Sequence, residues 1–176
     1  MVERYTRPEM GAIWGDENKY NIWLEIEILA VEALVEEGIV PAEAAKHIRA
    51  TAKVDPKRVL EIEETTKHDV IAFLTNVEEY VGEDSRFIHL GMTSSDVLDT
   101  ATAVQLKQAG ELIRKGLNEF SEVLKKKAIE YKNTPCVGRS HGIHAEAMTF
   151  GMKFALWYDE LQRNIRRFDL AMEDIS

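Results

Sequence analysis

Apolar side chains recur at the helical interval along most of the chain. From Asp16 to Glu37, the residues Tyr20, Trp23, Leu24, Leu29, Val31, Leu34 and Val35 follow that period, and Gly38 ends the run. Val40-Pro41 starts a second, short helix that reaches about Thr51, and Asp55-Pro56 opens a third, proline being well suited to a first helical position. Asp69 is placed to cap a helix through Tyr80, with Gly82 just past its end. Beyond residue 93 the scale changes. Val97, Leu98, Ala101, Val104, Leu106, Leu112, Ile113, Leu117, Phe120, Val123 and Leu124 form one sustained stripe with no proline to break it. The stripe predicts a helix of about 35 residues, from Ser94 to Tyr131, against a globular mean of about 11–12. Another long helix is predicted from about Met148 to the end, with Phe154, Trp157, Tyr158, Leu161, Ile165, Phe168 and Met172 inward. It has no stop signal, so it either frays or belongs to a longer helix. A glycine-bearing loop joins the two, with one short extended piece over Thr134 to Gly138. The reading is all-α: a small helical N-terminal domain over residues 1–93, then the first long helices of an extended bundle over 94–176.

Composition adds exclusions. The chain has 176 residues, 45% apolar and 30% charged, an ordinary globular mix. No apolar run is long enough to span a membrane, and Met1 to Tyr5 lacks the start of a secretory signal. A single cysteine, Cys136, fits a reducing cytoplasm. The net charge of −9 lies wholly in residues 1–93, with 19 acidic and 10 basic side chains, whereas 94–176 carry 12 of each. That balance argues against a nucleic-acid partner but leaves room for one small anion held locally.

Candidate chemistry gathers at element boundaries. Four of the five histidines, His68, His89, His141 and His144, lie in loop-like or helix-start segments, where a scaffold can present a group that titrates near neutral pH. His47 sits in a short helix and is given no role. His141 and His144 are three apart, but Gly142 between them favours a loop, and no cysteine pair or zinc motif accompanies them, so no metal site is expected. Gly91 to Asp96 precedes the longest helix. Its hydroxyls either cap that helix or help its free N–H groups hold a carboxylate or phosphate. Arg4, in an irregular arm, makes a surface ion pair or clamps a phosphate.

Taken together, these strings resemble the fumarase/aspartase superfamily and, within it, the adenylosuccinate lyase family. Four segments carry the resemblance: Arg4-Tyr5, Thr66 to Val70, His89 to Thr100 and Gly138 to Glu146. Carboxymuconate cycloisomerases are close but typically carry glutamine where this chain has Ser95. Two departures stand out: Ser140 replaces the family's usual threonine before the catalytic histidine, and Ala147 stands where proline is common, a change expected at a helix start. The resemblance implies a β-elimination that splits adenylosuccinate, or the related succinyl-carboxamide ribotide, into fumarate and a nucleotide, without a cofactor. It implies His141 as the acid, and a nucleotide held by Arg4, Tyr5, Lys67, His68 and Asp69. His89 matches a histidine near the phosphate, and Thr93 and Ser94 match residues on the succinyl portion. It further implies a cytoplasmic homotetramer whose base, a loop serine, has no counterpart before Ser176. The chain would then be the N-terminal portion of a longer enzyme, with negligible activity alone. A non-catalytic helical association module and a related lyase or cycloisomerase with another substrate are the alternatives.

Overall fold

The computed structural model describes residues 2–175. Seven α-helices account for most of them: α1 Pro8–Ile13, α2 Asp16–Glu36, α3 Ala42–Thr51, α4 Pro56–Thr66, α5 Asp69–Val81, α6 Ser94–Glu130 and α7 Phe150–Asp174. Short 3-10 turns cover Glu3–Tyr5 and Gly82–Phe87. The all-α expectation holds with one correction. The segment read as a loop between the long helices is a β-hairpin, β1 Pro135–Ser140 and β2 Ile143–Thr149. No described helix is long and apolar enough to cross a membrane.

The chain divides into two compact units, residues 1–106 and 107–176. The division falls inside α6 rather than at residue 93, where the charge changes. Surface charge marks the change at 93, but packing follows apolar side chains, and Val97 and Ala101 of α6 belong to the first unit's core.

In the first unit, α2 and α5 supply the centre of that core. The Phe73 ring, fully buried, meets Trp23 edge-on at 5.4 Å and stacks on Tyr20 at 6.1 Å, while Tyr20 and Trp23 meet edge-on at 5.1 Å. Ile48 of α3 and Val59 of α4 are also fully buried. Local signals set the helix ends. The Asp55 carboxylate accepts the Lys57 N–H at 3.0 Å to open α4, and buried Asn76 accepts the Asp55 N–H at 2.9 Å. Gly82 ends α5 with φ 71°.

Arg49 of α3 reaches two carboxylates of α2, Glu25 at 2.7 Å and Glu32 at 2.8 Å. It holds the Glu32 carboxyl below the ordinary carboxylate range. Such a depressed acid stabilises the fold above its unfolded value, and the contribution is lost as pH falls through the folded value. All three groups are solvent-exposed, so Arg49→Ala is expected to cost under about 1 kcal/mol. Urea titrations should show that difference shrinking in high salt and again below the ordinary carboxylate range. A loss that persists in both would mean that the arginine acts by packing.

The second unit has a smaller core of Leu124 on α6 with Leu161 and Ile165 on α7. Arg114 pairs with Asp169 at 2.6 Å and Gln162 donates to the Ser121 hydroxyl at 2.7 Å. Much of the predicted stripe stays uncovered: Ile113, Phe120, Val123 and Trp157 are exposed. Where α7 begins, the Gly151 N–H donates to the Tyr131 carbonyl at 2.9 Å. A Cβ on Gly151 would lie 2.6 Å from the Lys132 nitrogen and 2.7 Å from its Cα, both backbone atoms that cannot swing aside. Gly151→Ala is therefore expected to cost about 1–3 kcal/mol by overpacking. Thermal unfolding would measure it, and an unchanged midpoint would show that the backbones separate freely.

Candidate functional site

Every sequence-predicted site residue lies at an element boundary. In the first unit they form three local groups. The N-terminal turn holds Arg4 and Tyr5, both exposed, with the guanidinium carbon 4.7 Å from the Tyr5 ring centre. The α4–α5 junction holds Lys67, His68 and Asp69. The turn from Ile88 to Ser94 holds His89, Thr93 and Ser94.

At the junction, Lys67 closes α4 in the left-handed conformation, φ 53°, and its ammonium lies 3.4 Å from Glu64. The cap of α5 is His68, not Asp69 as the sequence suggested. The His68 Nδ1 accepts the Ile71 N–H at 3.4 Å, while Asp69 occupies the first helical position and accepts the Val70 N–H at 2.7 Å. The same Nδ1 also lies 3.5 Å from the Asp69 carboxylate. The junction thus offers an exposed cation, an exposed imidazole and a half-buried carboxylate.

In the following turn, His89 is left-handed at φ 62° and Gly91 follows at φ 76°. The His89 ring is held from behind by Glu27 of α2, fully buried, with Nδ1 to Oε1 at 2.6 Å and the His89 N–H to Oε2 at 2.9 Å. Burial pushes the Glu27 carboxyl above its ordinary value, and the bonds from His89 pull the other way. Sequence reasoning missed Glu27. A signal was present: Tyr20, Leu24, Glu27 and Val31 share one helical face, and the other three are apolar.

At the start of α6 the Asp96 carboxylate accepts the Thr93 N–H at 2.8 Å. Capping of that end is therefore done by Asp96. Among the described residues, neither the Thr93 nor the Ser94 hydroxyl has a protein partner. Those two hydroxyls and the helix's first N–H groups remain open to an acceptor, although Asp96 already offsets part of the helix dipole.

His141 lies in the second unit, at the tip of the hairpin. Ser140 pairs with Ile143, leaving a two-residue turn with His141 at φ 50° and Gly142 at φ 76°. Two positive angles make this a type I′ turn, which matches the twist of the flanking strands. The hairpin bulges opposite Gly138, where a Cβ would come within 3.0 Å of the Glu146 carbonyl. The His141 ring is exposed, and Arg139 donates to the Gly142 carbonyl at 3.4 Å across the turn. Ala147 is a strand residue paired with Val137, not part of a helix start as the sequence reading had it. The strands also separate His144 from a shared helical face with His141. Among the described residues no group of three or more His, Cys, Asp or Glu side chains is arranged to hold a metal ion. An open groove of about 470 Å³ beside Arg114, Asp169 and Met172 contains none of the candidate residues.

Three non-glycine residues have a left-handed backbone among those described, Lys67, His89 and His141, and all three are candidate site residues. Such a conformation costs a side-chain-bearing residue about 1 kcal/mol or more. Its concentration here separates these boundaries from the other helix ends.

A family model described as lyase matches residues 3–176. The chain is 51% identical over its full 176 residues to an adenylosuccinate lyase of Bacillus subtilis (strain 168), covering 41% of that protein. Among solved structures, a fumarate lyase from Mesorhizobium sp. BNC1 superposes on 97% of this chain and 41% of its own, with TM-score 0.91 and 25% identity. A 3-carboxy-cis,cis-muconate lactonizing enzyme from Pseudomonas putida covers 97% and 40%, with TM-score 0.88 and 28% identity. The chain thus spans about two fifths of the length of the proteins it matches.

Proposed function

The chain belongs to this lyase family, and from that premise we propose that it is the N-terminal portion of an adenylosuccinate lyase of purine nucleotide synthesis. The observation that carries the reading is the 51% identity to an adenylosuccinate lyase, sustained over all 176 residues. The reaction is a β-elimination without a cofactor. A base removes the proton next to a carboxylate, and the electron pair spreads onto that carboxylate. The carbon–nitrogen bond then breaks, and His141 as an imidazolium gives its proton to the departing nitrogen, releasing fumarate and AMP. Succinylaminoimidazole carboxamide ribotide is split in the same way.

The groups at the element boundaries suit these roles chemically. Arg4, Tyr5, Lys67, His68 and Asp69 hold the nucleotide, with His89 toward its phosphate. Thr93 and Ser94 offer hydroxyls and helix N–H groups to the succinyl carboxylates. The base is assigned to a loop serine in the part of the complete enzyme that this chain, two fifths of its relatives' length, does not span. The 176 residues alone are expected to show no measurable turnover. The enzyme works in the cytoplasm as a homotetramer, and the exposed Ile113, Phe120 and Val123 are covered by further helices of the same protein or its copies.

Calorimetry with AMP tests the reading on the 176-residue chain. Binding that weakens in Arg4→Ala and His68→Ala supports a nucleotide half-site, whereas identical isotherms refute these assignments. Product analysis with the complete enzyme decides the substrate: AMP release supports the proposal, and lactone formation or release of another nucleophile refutes it.

Lys67→Gly separates chemistry from fold at one position. Glycine accepts φ 53° freely, so the variant should be up to about 1 kcal/mol more stable. It should also bind AMP more weakly, because the cation is gone. A less stable variant, or one with unchanged affinity, would count against this assignment.

A further inference from the structure

Glu27 is an unusual occupant of the α2 core. Its neighbours on the buried face, Tyr20, Trp23, Leu24, Ile28 and Val31, are all apolar, yet its carboxylate is fully buried among them. Burying a carboxylate is costly unless donors replace the water it loses. Here both donors come from one residue 62 positions away: the His89 N–H binds Oε2 at 2.9 Å and the His89 Nδ1 binds Oε1 at 2.6 Å. His89 serves both oxygens from a left-handed backbone, φ 62°. Two unfavourable features, a buried charge and a strained backbone, therefore converge on the orientation of a single imidazole. The ring itself is one-fifth exposed, so it is held at its inner edge and open at its outer one.

We propose that Glu27 is a positioning residue: it fixes the ring of His89 with Nδ1 as the bound nitrogen, so that Nε2 is the nitrogen presented to the phosphate of a nucleotide. The inference rests on the reading of His89 as a phosphate-facing group. A histidine hydrogen-bonded at one nitrogen to a carboxylate has its tautomer and ring plane set by that bond. With Nδ1 committed, Nε2 accepts when the ring is neutral and donates when it is charged, and only the charged ring attracts an anion. A leucine at position 27 would fill the core equally well and leave the ring free to turn. The carboxylate is thus explained by what it does to His89, not by packing.

The ring can be read directly in the 176-residue chain labelled with 15N-histidine. Long-range proton–nitrogen spectra should show a protonated Nδ1 for His89 in the unaltered protein. In Glu27→Gln the amide cannot accept at both positions, and the Nδ1 proton should be lost or shared with Nε2. AMP affinity should then fall on the order of tenfold, the scale of one charge-assisted bond. His89→Asn should lower it by a similar factor, and the double variant should lose no more than His89→Asn alone, because Glu27 acts through His89. An unprotonated Nδ1 in the unaltered chain overturns the proposal. So do additive losses in the double variant, which would make Glu27 an independent packing residue. The unaltered-chain spectrum decides even if Glu27→Gln fails to fold by circular dichroism. If AMP shifts no histidine resonance of the unaltered chain, the nucleotide reading fails, whereas the Nδ1 signal still reports on Glu27.

Discussion

Exchange of His141 for glutamine is expected to lower kcat of the complete enzyme by about 10²–10⁴-fold, the range associated with loss of a positioned general acid. Glutamine retains a hydrogen-bonding side chain but has no proton to transfer near neutral pH. The residue is exposed at a two-residue hairpin turn, so the exchange removes no buried contact. Stability should therefore change by less than about 0.5 kcal/mol, as at other surface positions. This separation is the useful part of the experiment: activity collapses while the melting curve stays in place. A variant retaining a tenth of the activity or more would assign the proton to another group.

Phe73→Ala should be the most damaging single change to the first unit, costing about 3–5 kcal/mol. The ring is fully buried and lies against both Tyr20 and Trp23, so its removal deletes apolar burial and two aromatic contacts. That cost approaches the whole stability of a marginal domain, about 5–15 kcal/mol. The helix that carries Phe73 also begins at His68 and Asp69, so its loss disorders the proposed nucleotide half-site. Urea titration followed by tryptophan fluorescence would measure the effect, since Trp23 reports from the same cluster. A loss below about 1 kcal/mol would mean that neighbouring side chains close the cavity.

The helices were legible because each buries one face, and burial writes a 3.6-residue period into the sequence. The hairpin left no comparable trace. No position of β1 or β2 is fully buried, so no alternation of apolar and polar residues was required, and only Gly142 hinted at the turn. The cap of α5 was assigned to Asp69 by residue preference. An imidazole Nδ1 can accept the same N–H, and the backbone of His68 is the one extended there. Charge located a change at residue 93 but could not locate the packing, since Val97 and Ala101 complete the core that begins with Tyr20. Glu27 escaped notice because a glutamate on an amphipathic helix normally faces water. Its apolar neighbours on that face were the one local sign, and identifying its partner required the contact with His89, 62 residues away. The candidate site was legible residue by residue through its resemblance to a family, while the backbone handedness beneath Lys67, His89 and His141 was not.

That handedness has a consequence for how such a chain would change over generations. At three positions the backbone itself prefers glycine or asparagine. At 67 and 141, where the side chains are exposed, mutation toward either is nearly free for folding, whereas at 89 it strips the imidazole donor from the buried Glu27 carboxylate. A descendant relieved of selection for its chemistry would therefore drift toward those two residues at 67 and 141 before 89, where the core itself needs the imidazole.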